Sequence, residues 1–295
     1  MEEAVQFVSN QKKHYGILHI PDKVENPSVV VVLLTGGPQV RTGAHRIYVQ
    51  LSRFLSENNW ASFRFDFEGM GDSEGEFVGF QHAGPSISAA ISFLSKRFKE
   101  KPDFIIWSLC DGATASALYA ARHKDDIIGQ ILCNPLAITE EGLARSTMKH
   151  YYGKRIFTKD FLRKVFSLEL DLRDSAKSLW AVFKGIQIFN NNDKSVSEMG
   201  SNLSDKVITS LHIFSGPIRI VLSNEDIVAS NFQDEIRRNR SLKNDYKRNK
   251  IINYLIDGAD HTFVDPLAKR QMFEITLQAV NEMASKDRNK DFCAS

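Results

Sequence analysis

The sequence is poor in the residues and runs that mark several protein classes. Its three cysteines, Cys110, Cys133 and Cys293, are too few and too odd a set for a disulfide framework. There is no Cys-x-x-Cys pair to hold zinc or a redox couple. No run of 18 apolar residues occurs, so no integral membrane segment is expected. The opening Met1-Glu2-Glu3-Ala4-Val5-Gln6 lacks the basic and apolar regions of a signal peptide, and a reducing cytoplasm is the expected compartment. Net charge is nearly absent: 38 Lys and Arg against 36 Asp and Glu leave +2. That balance gives no general electrostatic case for nucleic acid or an anionic membrane as partner. Internal repeats and low-complexity segments are lacking as well.

What is present is the composition of a globular chain, 42% hydrophobic and 25% charged. The 295 residues allow one or two domains. The 20 Phe outnumber the 3 Trp and 7 Tyr together, enough for a substantial core or an apolar pocket. Strands are expected at Val5–Val8, His14–Ile20 and Val29–Leu34. The last is a continuous β-branched and leucine run, which suits a strand covered on both faces. Helix and strand then alternate: a helix over His45–Glu57, a strand over Trp60–Phe65, a helix over Pro85–Phe98, a strand over Phe104–Trp107, a helix over Cys110–Arg122 and a strand over Ile127–Leu132. This rhythm predicts an α/β chain with a mostly parallel central sheet flanked by helices. It stops after Pro135. Residues 136–205 read as a helical cap insertion, with helices over Glu140–Tyr152, Lys159–Ser167 and Ser175–Phe189 and a mobile loop from Asn190 to Ser204. Strands return at Ile218–Leu222 and Ile251–Ile256, and a helix over Pro266–Met283 follows. The core is therefore expected in residues 1–135 and 206–295.

One segment carries chemistry. Phe104-Ile105-Ile106-Trp107-Ser108-Leu109-Cys110-Asp111-Gly112-Ala113 has the order strand, small residue, x, nucleophile, x, small residue, helix. That is the pattern of a nucleophile elbow. The turn strains the nucleophile's backbone, and small residues two before and two after let strand and helix approach. Ser108 and Gly112 meet that need, and Cys110 stands at the nucleophile position. The helix that follows directs its N–H groups and partial positive charge at the thiol. Ser108 is the weaker nucleophile candidate, because its own small neighbour would have to be Ile106. Free cysteine is also a common core residue, so the elbow needs partners.

Chain order supplies them. Such elbows are followed by an acid and then a histidine. Ser223-Asn224-Glu225-Asp226 follows one late strand, and Asp257-Gly258-Ala259-Asp260-His261 follows the next. Asp226 and His261 are the candidate acid and general base, with Glu225, Asp257 and Asp260 as alternative acids. Thr35-Gly36-Gly37-Pro38 ends the Val29–Leu34 strand. Gly37 is the candidate second oxyanion donor beside the Asp111 N–H, since Pro38 has no N–H to give. Three other features read as structural. Asp66–Ser73 holds Gly69 and Gly71 but no Gly-Lys-Ser/Thr ending, so it is a turn rather than a phosphate loop. The seven Lys and Arg of Arg237–Lys250 read as a solvated helix and loop. The aromatics after Lys149, namely Tyr151, Tyr152, Phe157, Phe161, Phe166, Trp180 and Phe183, read mainly as cap core.

These segments resemble the α/β-hydrolase superfamily and, more narrowly, the exosortase-A-system-associated hydrolase, type 1. The resemblance rests on Gly36-Gly37-Pro38-Gln39-Val40-Arg41 with His45-Arg46, and on Phe65-Asp66 with Gly69-Met70-Gly71-Asp72-Ser73-Glu74-Gly75. It continues through Leu109-Cys110-Asp111-Gly112, Asn134-Pro135, Ala144-Arg145 with His150-Tyr151-Tyr152, and Asp260-His261-Thr262-Phe263. It runs over residues 15 to 285, with departures at Ser108, where the family tends to Gly, and Leu136, where it tends to an aromatic. The resemblance implies an α/β-hydrolase fold; together with the elbow and the chain order it leads to the expectation of a capped hydrolase with a Cys110-Asp226-His261 triad acting on an ester or thioester of a small acyl substrate. The genes of that family lie beside exopolysaccharide machinery, and its substrate is not established. No cofactor or metal is implied, and protein partners are left open. Acyl transfer to a carbohydrate or amine, and a non-catalytic scaffold, are the rival readings.

Overall fold

The computed structural model describes all residues except 38, 78, 137–193 and 294–295. The three helices expected between residues 140 and 189, the aromatics among them and the cap they would build lie outside the described residues. The chain divides into two units, Met1–Ala137 with Lys206–Ser295, and Ile138–Asp205. Of the second unit only Lys194–Asp205 is described, and it is helical.

The first unit is built on one eight-stranded sheet. Its strands are β1 (Glu2–Ser9), β2 (Lys12–His19), β3 (Val29–Leu34), β4 (Ala61–Phe65), β5 (Asp103–Leu109), β6 (Ile127–Cys133), β7 (Ile218–Ser223) and β8 (Ile251–Ile256). They lie in the order β1-β2-β4-β3-β5-β6-β7-β8. β1 and β2 pair antiparallel, β2 joins β4 antiparallel, and every pair from β4 to β8 is parallel. Among the described residues the α-helices of the chain are α1 (Ile47–Glu57), α2 (Gly84–Arg97), α3 (Asp111–Ala120), α4 (Lys194–Ile213), α5 (Ile227–Arg238), α6 (Lys243–Lys247) and α7 (Pro266–Cys293).

The continuous apolar run of β3 explains the layering. Val30, Val32 and Leu34 point into one apolar layer with Ile87 and Leu94 of α2, Ala113 and Ala117 of α3 and Phe232 of α5. Val29, Val31 and Leu33 point into the other, with Leu51 and Leu55 of α1 and Met272 and Val280 of α7. Side chains alternate across a strand, so a strand sandwiched between helices must be apolar at every position. Each such side chain, almost wholly withdrawn from water, contributes on the order of 1.5–3 kcal/mol.

Several element bounds differ from expectation, for local reasons. β1 is longer than Val5–Val8, because a two-residue turn with Asn10 at φ 50° and Gln11 at φ 65° closes it on β2. Both positive angles match the twist of a tight hairpin. β5 continues past Trp107 to Leu109, since Ser108 is buried in register between Leu34 and Leu132. The serine-rich stretch expected as a loop is helical from Lys194 onward. Ser204 and, further along α4, Val207, Ile208 and Leu211 are buried, and packing of this kind overrides weak helix propensity. α7 runs ten residues beyond Met283, because nothing in its charged C-terminal third breaks a helix.

The topology sets a location for chemistry. The chain leaves β3 for β4 on one side and returns to β5 on the other. Sheets of this kind bind ligands at the carboxyl ends of the strands flanking such a reversal. The loop after β3 and the elbow after β5 both lie there.

Candidate active site

Cys110 is the residue between β5 and α3, with φ 56° and ψ −125°. A non-glycine residue in this region is strained by roughly 1–3 kcal/mol and persists only when its surroundings impose it. Here the Cys110 N–H donates to the Cys133 carbonyl at 3.0 Å, and the Cys110 carbonyl accepts from Ala113 N at 3.0 Å. Glycines make room for the turn. A Cβ on Gly36 would lie 2.0 Å from the Leu109 carbonyl oxygen and 2.9 Å from the Cys110 Cβ. One on Gly112 would lie 2.6 Å from the Thr35 carbonyl oxygen. The end of β3 and the elbow therefore touch backbone to backbone. Ser108 is fully buried within β5.

Asp226 and His261 meet across the ends of β7 and β8. His261 Nδ1 is 2.7 Å from Asp226 Oδ2. Asp226 also caps α5, accepting from Val228 N at 3.0 Å and Ala229 N at 3.3 Å, which fixes its carboxylate before the imidazole arrives. With Nδ1 engaged, Nε2 is left for Cys110, whose thiol interacts with the ring. Asp226 and the thiol together raise His261 from 6.5 to about 10, against the opposing effect of burial. The alternative acids are otherwise employed or directed. Asp260 Oδ1 accepts from Val264 N at 2.9 Å, Asp257 Oδ1 accepts from Asn224 Nδ2 at 2.8 Å, and Glu225 is exposed. The second cysteine differs in kind: complete burial pushes the Cys133 thiol well up.

A raised histidine gives a test of sign. A group whose folded value exceeds its unfolded one adds stability that is full below the unfolded value and is lost as pH rises through the folded one. For His261 that window runs from 6.5 to about 10. Thermal melts of wild type and His261→Gln are expected to differ most at acid pH and to converge as pH climbs through this window. A gap that stays constant with pH would contradict the assignment.

The two candidate oxyanion donors, Gly37 and Asp111, are linked by a contact the sequence did not signal. Asp111 N is 3.0 Å from where a Gly36 Cβ would stand, so the first residue of α3 lies against the loop that follows β3. The Asp111 carboxyl meets the Gly37 N–H. Burial raises that carboxyl above the usual range, while the Gly37 N–H and the His261 charge act in the opposite direction. The loop itself is pinned by Arg41, which sequence reasoning left without a role. Arg41 N–H donates to the buried Asp66 at 2.6 Å, and its guanidinium pairs with Asp66 and, at 2.6 Å, with Asp72. Gly71 is required there, since a Cβ would lie 2.3 Å from Asp66 Oδ2. The glycine turn at Asp66–Ser73 thus braces the loop that carries Gly37.

Among the described residues, no group of three or more His, Cys, Asp or Glu is arranged to hold a metal ion. Among them, too, no helix is long and apolar enough to cross a membrane.

A family model described as serine aminopeptidase, S33, matches residues 26–172. The sequence matches no curated protein. Solved structures share the fold at low identity. An esterase of Pyrococcus furiosus superposes with a TM-score of 0.64 at 14% identity, covering 96% of this chain and 91% of that one. Est1E of Butyrivibrio proteoclasticus, with ferulic acid bound, gives 0.58 at 16% identity, covering 94% and 100%. A proline iminopeptidase of Mycobacterium smegmatis gives 0.58 at 13% identity, covering 95% and 98%. With its eight-stranded, mostly parallel sheet and its flanking helices, the chain has the α/β-hydrolase fold.

Proposed function

We propose that the chain is an esterase or thioesterase with a cysteine nucleophile, working through Cys110, His261 and Asp226. The observation that carries this reading is the convergence of a strained Cys110, its thiol against the His261 ring, with the Nδ1–Asp226 contact of 2.7 Å. The Pyrococcus protein is an esterase and Est1E holds ferulic acid, and both support an ester-like substrate. The family model is named for serine, whereas this chain has Cys at the elbow, so the proposed nucleophile is a thiol and not a hydroxyl. The narrower resemblance to the exosortase-associated hydrolases is carried by sequence segments alone.

His261, raised to about 10, already holds on Nε2 the proton shared with Cys110, and Sγ attacks the acyl carbon as the thiolate of that pair. Charge that builds on the carbonyl oxygen is met by the Asp111 N–H, the Gly37 N–H and the N-terminus of α3. The C–O or C–S bond to the leaving group breaks, and the leaving group takes the proton from Nε2. Water then gives a proton to Nε2 and attacks the acyl-thioenzyme, returning the acid product and the free thiol. Asp226 holds the imidazole in the tautomer this requires and stabilises its cation.

The Asp111 carboxyl has to leave the Gly37 N–H before an oxyanion takes its place. Asp111→Ala keeps the backbone donor, frees Gly37 and removes a carboxylate from the developing charge. An oxyanion donor is worth roughly 10²–10³ in turnover. Recovering part of that, kcat is expected to rise by about tenfold on p-nitrophenyl acetate. A fall in kcat would mean that the carboxyl serves the reaction instead of obstructing it.

The function itself is tested with a panel of short and long p-nitrophenyl esters and acyl thioesters, with and without an amine or sugar acceptor. Hydrolysis abolished by brief iodoacetamide treatment is the expected result. Acylated acceptor in place of free acid would assign acyl transfer instead. Turnover that survives complete alkylation of Cys110 would reject the thiol nucleophile.

A further inference from the structure

One buried side chain links the acid loop to the histidine loop and has no part in the steps above. Asn134 follows β6 directly, is fully buried and has φ 41°. Its backbone N–H donates to the Val221 carbonyl at 2.9 Å and so prolongs the ladder toward β7. Its carboxamide makes three further bonds. Nδ2 donates to Ser223 Oγ at 2.8 Å and to the His261 carbonyl at 2.9 Å, and Oδ1 accepts from Ser223 N at 2.8 Å. Ser223 Oγ in turn donates to the Asp260 carbonyl at 2.8 Å. Ser223 is the last residue of β7, three before Asp226, whose N–H points back to the Ser223 carbonyl at 3.4 Å. One planar group thus holds both the backbone of the base and the strand end that launches the acid. The Asn134 side chain is fully buried, and a buried, fully bonded polar group of this kind stiffens the elements it joins.

We infer that Asn134 is a positioning residue that sets the separation of Asp226 and His261 and, through them, the approach of the imidazole to Cys110. The inference rests on the reading of those three residues given above. Only a carboxamide fits the network as it stands. Asp supplies the acceptor for Ser223 N but no donor, and sets a negative charge against the His261 carbonyl. An aliphatic side chain leaves Ser223 N and the His261 carbonyl without their partner. Misplacement of a reacting group by 1 Å costs about 10²-fold in rate, which is why a residue remote from substrate acts on turnover.

The test uses the whole protein and iodoacetamide as the probe. Labelling rates of Cys110 and Cys133 are followed by peptide mapping at neutral pH, well below the melting temperature, in wild type, Asn134→Asp and Ser223→Ala. Kinetics on p-nitrophenyl acetate accompany them. Wild type is expected to label Cys110 at least tenfold faster than Cys133, since only Cys110 has the imidazole and helix terminus. In Asn134→Asp that excess is expected to fall by about tenfold, with kcat reduced about 10²-fold and KM nearly unchanged. Ser223→Ala removes one bond to Asn134 and the tie to Asp260, and moves the same quantities in the same direction by about threefold. It decides the question if Asn134→Asp does not fold. Fast Cys110 labelling and full kcat in the folded variants, with only a lower melting temperature, would overturn the inference and leave Asn134 a fold residue. Equal labelling of Cys110 and Cys133 in wild type would overturn the triad reading and the inference together.

Discussion

Cys110→Ala is expected to lower ester turnover by about 10⁵- to 10⁶-fold, the scale on which removing a catalytic nucleophile acts. The substitution deletes Sγ alone. The Cβ remains, so the elbow keeps its contact with Gly36, and the 3.0 Å bond from Cys110 N to the Cys133 carbonyl is untouched. The ion pair of Asp226 with His261 survives as well, because it does not pass through the thiol. Folding should therefore be nearly unaffected, and circular dichroism with a thermal melt checks this. The residual rate reflects binding and the oxyanion donors acting on water attack. A variant that retains activity within tenfold of wild type would remove Cys110 from the chemistry.

Asp226→Asn is expected to reduce turnover by about 10⁴-fold, again with the fold intact. The carboxylate does two jobs that the substitution separates. As a cap it accepts from Val228 N and Ala229 N, and asparagine is as good an N-cap as aspartate. As the partner of His261 it must accept from Nδ1 and stabilise the cation, and there an amide fails. It carries no charge, and it can present its own N–H₂ to Nδ1 and impose the wrong tautomer. The same substitution is expected to bring His261 down toward its ordinary value, since Asp226 is the largest cause of its rise. Titration of the imidazole by NMR reads this directly. Loss of activity in Asp260→Asn with full activity in Asp226→Asn would transfer the role to the histidine loop.

Much of the fold was legible in the sequence because its signals are local. The β-branched run at Val29–Leu34 and the small residues around Cys110 state their needs within ten residues. The proposed acid and base, Asp226 and His261, are suggested by chain order, each just past a strand end. What could not be read are bonds between parts of the chain far apart in sequence. Asn134 meets Ser223 across 89 positions and His261 across 127, and nothing near Asn134 announces either partner. The carboxyl of Asp111 was hidden for a related reason. Its backbone N–H was the evident feature, and only the approach of β3 to the elbow brings its side chain to Gly37. The extent of α4 was missed because serine is a weak helix former, while the burial of Val207, Ile208 and Leu211 depends on the sheet they pack upon.

As the proposed nucleophile, Cys110 forms a covalent acyl bond during turnover. Intact-mass spectrometry of the full-length protein, quenched in acid seconds after mixing with p-nitrophenyl acetate or an acetyl thioester, tests it most directly. One added acetyl group, mapped by peptide sequencing to Cys110 and absent from Cys110→Ala, is the expected result. Continued release of acid with no adduct on Cys110 at any quench time, or an adduct mapped to Ser108, would contradict it.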